Sequence, residues 1–234
     1  MTARVGTVLS LPGVLVAELV ARHFDLVWID LEHGALGPRD MQDAVIGVQA
    51  SGADAFVRVP LGAPFAAILD AAADGVVVPC VETADQAAEA VARLRPAPAG
   101  ARGYGPRRLA VRPGPEHPGC MVQIETRRGV AAAGAIASVL GVDAVVVGCA
   151  DLTHDLGEPL CFGSAALRTS LTAVREAAEQ AGVVFGVAGL PAGAAPESAG
   201  IVITSTDIRL FDAALAQAAA AVLSLAEDTA CPST

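Results

Sequence analysis

Four apolar segments of this chain close on polar residues of different chemical types. One ends in Trp28-Ile29-Asp30-Leu31-Glu32-His33-Gly34 and another in Val57-Arg58-Val59-Pro60. A third ends in Val122-Gln123-Ile124-Glu125, and the fourth leads into Gly148-Cys149-Ala150-Asp151. A charge closing an apolar run is costly to bury unless it is paired or bound to a metal. Glu125 and Asp151 are the most informative pair. On neighbouring parallel strands, about 4.8 Å apart, their carboxylates repel unless a cation lies between them. All-oxygen ligands suit Mg²⁺ or Mn²⁺, which keep open coordination positions. Those positions could chelate the carboxylate and ketone oxygens of a 2-oxo acid. The alternative for either carboxylate is a salt bridge to an arginine such as Arg127 or Arg58.

His33 is the one histidine at a predicted strand end, and its ring can exchange protons near neutral pH. An exposed loop histidine is the competing reading. Arg58 can stabilise a developing enolate oxygen by charge and hydrogen bonding; a structural ion pair with Asp30 or Glu32 is its alternative. The backbone N–H groups of Gly148, Cys149, Ala150 and Asp151 can hold a carboxylate, or form a plain strand-to-helix turn.

These residues need a frame that brings several strand ends to one place. Short apolar runs recur near Val5–Leu9, Leu26–Asp30, Ala55–Val59, Gly75–Pro79, Met121–Glu125, Ala144–Val147, Val183–Val187 and Gly200–Ile203. Between them lie helical segments, clearest at Thr83–Arg95, Ser164–Ala181 and Asp212–Ala226. Thr83 and Gln86 have capping-box spacing. Eight strands alternating with helices over 234 residues predict one closed (β/α)8 barrel, with reactive groups at the C-terminal ends of the strands. Residues 96–119, rich in Pro, Gly and Arg, and residues 189–199 are the long loops. The final helix is apolar for a solvated face, which suggests either subunit contact or packing against the barrel.

Composition narrows the chemistry further. All fifteen basic residues are arginine. With no lysine there is no Schiff-base aldolase, no pyridoxal phosphate enzyme and no Walker-type loop, because guanidinium stays protonated. A net charge of −10 without a basic, aromatic-interleaved run disfavours nucleic acid. No stretch is apolar enough for a membrane span, and Met1-Thr-Ala-Arg does not read as a cleavable signal. Five scattered cysteines without a CxxC motif fit a reducing cytoplasm.

Taken together, GTVLSLPG, FDLVWIDLEHG, FVRVP, ILDAAADGVVVPCVETADQA, RGYGPRR, VQIETRRGV and GCADLTHDLG resemble the HpcH/HpaI family of class II pyruvate aldolases, nearly end to end. The resemblance implies a TIM barrel of the phosphoenolpyruvate/pyruvate-binding type and carbon–carbon lyase activity on 4-hydroxy-2-oxo acids. By motif it makes His33 the acid–base group, oriented by Asp70, and makes Arg58 the residue that positions the 2-oxo acid. Gln123, Gly148, Ala150 and Asp151 line the substrate site, and Glu125 and Asp151 bind Mg²⁺, Mn²⁺ or another divalent ion such as Co²⁺ or Zn²⁺. It also implies a hexamer, a trimer of dimers, with C-terminal helices of about residues 211–226 exchanged. Cys149 stands where the family pattern has proline, His154 where a small residue is expected, and the segment before VQIET is short. Two other enzyme readings keep the site: a citramalyl-CoA-type lyase, whose nucleotide would need Arg102, Arg107, Arg108 and Arg112, and an enzyme decarboxylating oxaloacetate to form a new carbon–carbon bond. A catalytically silent binding barrel is the non-enzymatic alternative.

Overall fold

The computed structural model describes residues 2–228 except 61, 104, 106, 107, 160, 161 and 192, with side chains left out for 223–228. Arg107, one of the arginines singled out above, therefore lies outside the described residues, as do Cys161 and Cys231. Eight parallel strands form a closed barrel in sequence order: β1 (Arg4–Leu9), β2 (Leu26–Asp30), β3 (Asp54–Arg58), β4 (Gly75–Val78), β5 (Gly119–Ile124), β6 (Ala144–Gly148), β7 (Val184–Ala188) and β8 (Ile201–Thr206). The predicted (β/α)8 barrel is the observed fold.

Two apolar layers hold it together, as the period of two along each strand requires. One set of side chains fills the barrel itself: Leu26, Trp28, Phe56, Val77, Met121, Ala144, Val146, Ala188, Ile201 and Ile203. The alternate set, including Val27, Ile29, Val57, Val76, Val122, Val145 and Val147, packs outward against the helices. The same alternation places the site. Trp28 faces inward, so Asp30 does too; Phe56 carries Arg58 with it, and Met121 carries Gln123 and Glu125. The register sets Asp30 beside Arg58 and Ile124 beside Val147, so Glu125 emerges next to Gly148.

Local signals explain several elements. Helix Ala84–Leu94 begins at the capping box, with the Gln86 N–H donating to Thr83 Oγ1 at 3.2 Å. Helix Ala165–Ala181 starts at Ser164 and stops at left-handed Gly182, φ 72°. The last helix, Asp207–Asp228, starts five residues before the predicted Asp212. Asp207 accounts for this. It is fully buried, and its Oδ2 accepts hydrogen bonds from the N–H groups of Ser10 at 2.9 Å and Leu11 at 2.8 Å. The helix is thereby fastened to the end of β1 as soon as β8 finishes. The described residues of the 96–118 stretch are irregular, as predicted, apart from an isolated bridge between Pro96 and Arg102 and one 3₁₀ turn, Arg108–Ala110. Among the described residues no helix is long and apolar enough to cross a membrane.

Candidate active site

At the C-terminal mouth β2 and β3 contribute an ion pair. Both carboxylate oxygens of Asp30 accept from Arg58, Oδ1 from Nε at 3.0 Å and Oδ2 from Nη2 at 2.7 Å. Asp30 Oδ1 also accepts from the backbone N–H groups of Glu32 at 3.0 Å and His33 at 3.4 Å. One aspartate therefore fixes the guanidinium and shapes the turn that presents the next two side chains. Gly34 completes that turn, because a Cβ there would sit 2.3 Å from the Asp30 carbonyl oxygen. Burial raises the Asp30 carboxyl, but the hydrogen bonds and charge of Arg58 outweigh it and hold the group below its ordinary value. Arg58 itself is pushed up: burial opposes its charge, and Asp30, Glu32 and Glu125 more than restore it.

Of the two readings of Arg58, the ion pair is the one observed. It is ion-paired, to Asp30 and at 3.4 Å to Glu32, and it sits at the mouth of the barrel with 11% of its side chain exposed.

β4 and β5 build the second half. Glu125 is 3% exposed. Its Oε1 accepts from Gln123 Nε2 at 2.8 Å; its Oε2 accepts from the Cys80 N–H at 2.9 Å and lies 3.2 Å from the Cys80 thiol. Cys80 reaches it from a left-handed backbone, φ 54°, unusual for a side chain with a Cβ. Nothing in the spacing of the cysteines pointed to this residue; the close of β4 beside β5 was the available signal. Gly148 supplies the space, since a Cβ there would meet Glu125 Oε1 at 2.5 Å.

The charge balance is lopsided. Burial, with Asp151 and Glu32 adding to it, pushes the Glu125 carboxyl up despite the Cys80 hydrogen bonds. Glu32 is also raised, by burial first, with Arg58 and His33 opposing and Asp30 and Asp151 adding to the rise. Gln123 must present its NH₂ to the acceptor-only carboxylate, which leaves Gln123 Oε1 buried without a partner. A buried carboxylate crowded by like charge, beside an orphaned amide oxygen, fits a hard divalent cation. Glu125 and Asp151 are the residues that would hold it. No cluster of three or more His, Cys, Asp or Glu side chains with metal-holding geometry occurs among the described residues, so any ion there would rely on two carboxylates and outside ligands.

Asp151 is exposed, in the first turn of helix Cys149–Asp155, and Gly148 is that helix's N-cap. The N–H groups at 149–151, in the first turn, have no partner within the helix. Cys149 is fully buried, its thiol pushed up to about 12 by burial. It fills the first helical position, where the family's proline is equally compatible with the backbone. His154 is exposed on the same helix.

His33 stands at the mouth, 69% exposed, with Nε2 3.7 Å from Glu32 Oε2. Within one chain the structure does not bring Asp70 to it. Asp70 ends helix Ala66–Asp70, on the way back to the start of β4, and its ion-pair partner is Arg102 at 3.6 Å. Arg108 and Arg112 both donate to Gln49 Oε1, at 3.0 and 2.6 Å, and Gln49 Nε2 in turn donates to Asp74. That places the two arginines by the N-terminal ends of the strands, away from the mouth. Arg127 pairs with Asp155 rather than with Glu125 or Asp151.

Comparison with known proteins bears on the fold and the family. The family model described as HpcH/HpaI aldolase/citrate lyase matches residues 10–212. A hydroxypyruvate/pyruvate aldolase of Rhizorhabdus wittichii is 36% identical over 191 residues, 76% of each chain. A 4-hydroxy-4-methyl-2-oxoglutarate aldolase of Hapsidospora irregularis is 36% identical over 182 residues, 71% of this chain and 67% of that one. The crystal structure of an HpcH/HpaI aldolase/citrate lyase family protein from Burkholderia cenocepacia superposes with a TM-score of 0.85 at 30% identity, covering 94% of both chains.

Proposed function

Because this chain belongs to the HpcH/HpaI aldolase/citrate lyase family and is an aldolase-type lyase, we propose that it cleaves or forms 4-hydroxy-2-oxo acids, joining a pyruvate-like 2-oxo acid to an aldehyde, with a divalent cation at Glu125 and Asp151. When bound, Mg²⁺ or Mn²⁺ supplies Lewis-acid charge to the oxygens of the 2-oxo acid. In cleavage, His33 accepts the proton of the C4 hydroxyl. The C3–C4 bond breaks, the aldehyde departs, and the electron pair passes into the remaining half as an enolate. Arg58, held rigid by Asp30, offsets the negative enolate oxygen. The proton on His33 then goes to C3, giving the 2-oxo acid. Synthesis runs the same steps backwards. Gln123 keeps the Glu125 carboxylate in one orientation, and the N–H groups following Gly148 receive the substrate carboxylate.

The observation that carries this reading is the buried Glu125 carboxylate, gripped by Gln123 and Cys80 and crowded by the charges of Asp151 and Glu32. The test is pyruvate release from a 4-hydroxy-2-oxo acid by chelator-treated protein, with and without Mn²⁺. Glu125→Ala and Asp151→Ala are expected to abolish metal-dependent release. Full turnover by either variant after chelation overturns the assignment.

A CoA lyase is less well supported. Arg102 is taken by Asp70, and Arg108 and Arg112 are gathered on Gln49, so these basic residues do not form a nucleotide groove at the mouth.

The proposal extends to a homo-oligomer, with a hexamer as the expected state. The last helix carries exposed Ile208, Leu210, Leu215 and Val222, a surface suited to a second copy of the chain. Leu215→Glu is expected to reduce the mass measured by light scattering. A cytoplasmic setting, suited to the unpaired thiols of Cys80, Cys120 and Cys149, belongs to the same proposal.

A further inference from the structure

We propose that Trp28 is a positioning residue for the cation site, joined through one buried water to Gln123 and so to Glu125. Trp28 is fully buried in the barrel interior, and its indole Nε1–H has no hydrogen-bond partner. Gln123 is 1% exposed, and its Oε1 is likewise buried without one. The indole nitrogen can only donate and the amide oxygen can only accept. Interior side chains of such a barrel stack in layers drawn from alternate strands. Following the register around the sheet puts Trp28 directly beneath a layer of Val8, Arg58, Gln123 and Ala188, and above one filled by Phe56 and Met121 beside two glycines. Apolar side chains offer the indole nothing, and the Arg58 guanidinium only donates. Gln123 Oε1 is therefore the one side-chain acceptor in either layer bordering Trp28.

A donor and an acceptor each buried alone are costly. One water meets both needs, accepting from the indole and donating to the amide. The consequence reaches the site through Gln123, whose Nε2 donates to Glu125 Oε1 at 2.8 Å. An amide held at one end can still pivot, whereas one held at both ends cannot. With Oε1 tied to Trp28, the NH₂ stays on the carboxylate. Glu125 then keeps the pose in which its Oε2 accepts from the Cys80 N–H at 2.9 Å. Trp28 is fully buried, so it acts through Gln123 and not on the substrate or the cation. The step from Glu125 to a cation rests on the reading of Glu125 and Asp151 as its ligands; the link between Trp28 and Gln123 does not.

Trp28 is the single tryptophan of the chain, so protein grown with ¹⁵N-indole tryptophan gives one indole N–H resonance to follow. In chelator, the parent is expected to show a rotating-frame cross-peak of dipolar sign between that proton and water. Gln123→Met, which keeps the length of the side chain but removes the amide, is expected to lose it. A parent without the cross-peak, or a Gln123→Met protein that retains it, overturns the link. The second arm replaces Trp28 by β-(3-benzothienyl)alanine, which keeps the bicyclic ring and exchanges N–H for sulfur. Mn²⁺ binding, read by electron paramagnetic resonance, is expected to weaken by about 2- to 10-fold, the worth of one hydrogen bond. Combined with Gln123→Met, the same replacement is expected to weaken it no further, because both act on one contact. Additive losses would mean a merely structural part for Trp28 and overturn the positioning role, as would parent-like affinity in the replaced protein. Should Gln123→Met fail to fold, the parent cross-peak and the affinity of the replaced protein still decide. A parent that binds no Mn²⁺ refutes the cation site and with it the positioning role, while the cross-peak separately judges the link to Gln123.

Discussion

Gly148→Ala isolates the geometry of the cation site. Gly148 has φ −78° and ψ 93°, which alanine can adopt, so the added methyl acts through space alone. An ideal Cβ would lie 2.5 Å from Glu125 Oε1, 2.6 Å from Glu125 Cγ and 2.9 Å from Gln123 Nε2. Contact with Cγ means that turning the carboxylate end does not relieve the clash; the whole side chain must move. Glu125 would then give up the hydrogen bond from Gln123, or those from Cys80. Overpacking of this kind costs about 1–3 kcal/mol, which for a chain of this length lowers Tm by roughly 2–12 °C. Losing one hydrogen bond to a charged group, about 1.5–3 kcal/mol, corresponds to cation binding weaker by roughly 10- to 100-fold if that bond preorganises the ligand. Mn²⁺ titration followed by electron paramagnetic resonance reads the second number, and thermal melting in chelator reads the first. Parent-like Mn²⁺ affinity in a folded Gly148→Ala protein would refute the claim that the Glu125 pose, as seen here, is the one that binds the ion.

Arg58→Lys keeps the charge but loses the fork that meets both oxygens of Asp30; kcat/KM for pyruvate release is expected to fall about 100-fold or more, at a cost of about 2.7 kcal/mol. The raised carboxyl of Glu125 makes stability in chelator depend on pH. Its contribution is complete below the ordinary value of 4.5 and is lost as pH rises through the raised value, so Mn²⁺ is expected to lift Tm more at pH 8 than at pH 5. Equal lifts at both would contradict this. Asp207→Ala leaves three N–H groups, those of Ser10, Leu11 and Ile208, without their acceptor; an expected loss of about 1–3 kcal/mol is measurable by urea unfolding.

The barrel was legible because a parallel strand buried on both faces writes itself as an apolar run, and the polar residue that ends the run marks the mouth. Asp30, Arg58, Gln123 and Glu125 were recoverable on that basis, since an alternation read from Trp28, Phe56 and Met121 already points them inward. What the spacing could not settle was who pairs with whom once several charges share the mouth. Register decides that. Asp30 stands beside Arg58 because β2 and β3 align them, and this removes Asp30 from the carboxylates available to His33. Asp70 was singled out by a motif, and within one chain it ends a five-residue helix and ion-pairs with Arg102 at 3.6 Å. Cys80 was invisible for a different reason. Its part is played largely by a backbone N–H in a left-handed conformation, and side-chain type says little about where a main-chain donor will point. The start of the last helix was misplaced because the fastening of Asp207 to the end of β1 is visible only in the closed barrel. Strand ends are thus written in the chain locally, whereas the partners of their charges are fixed by neighbours distant in sequence.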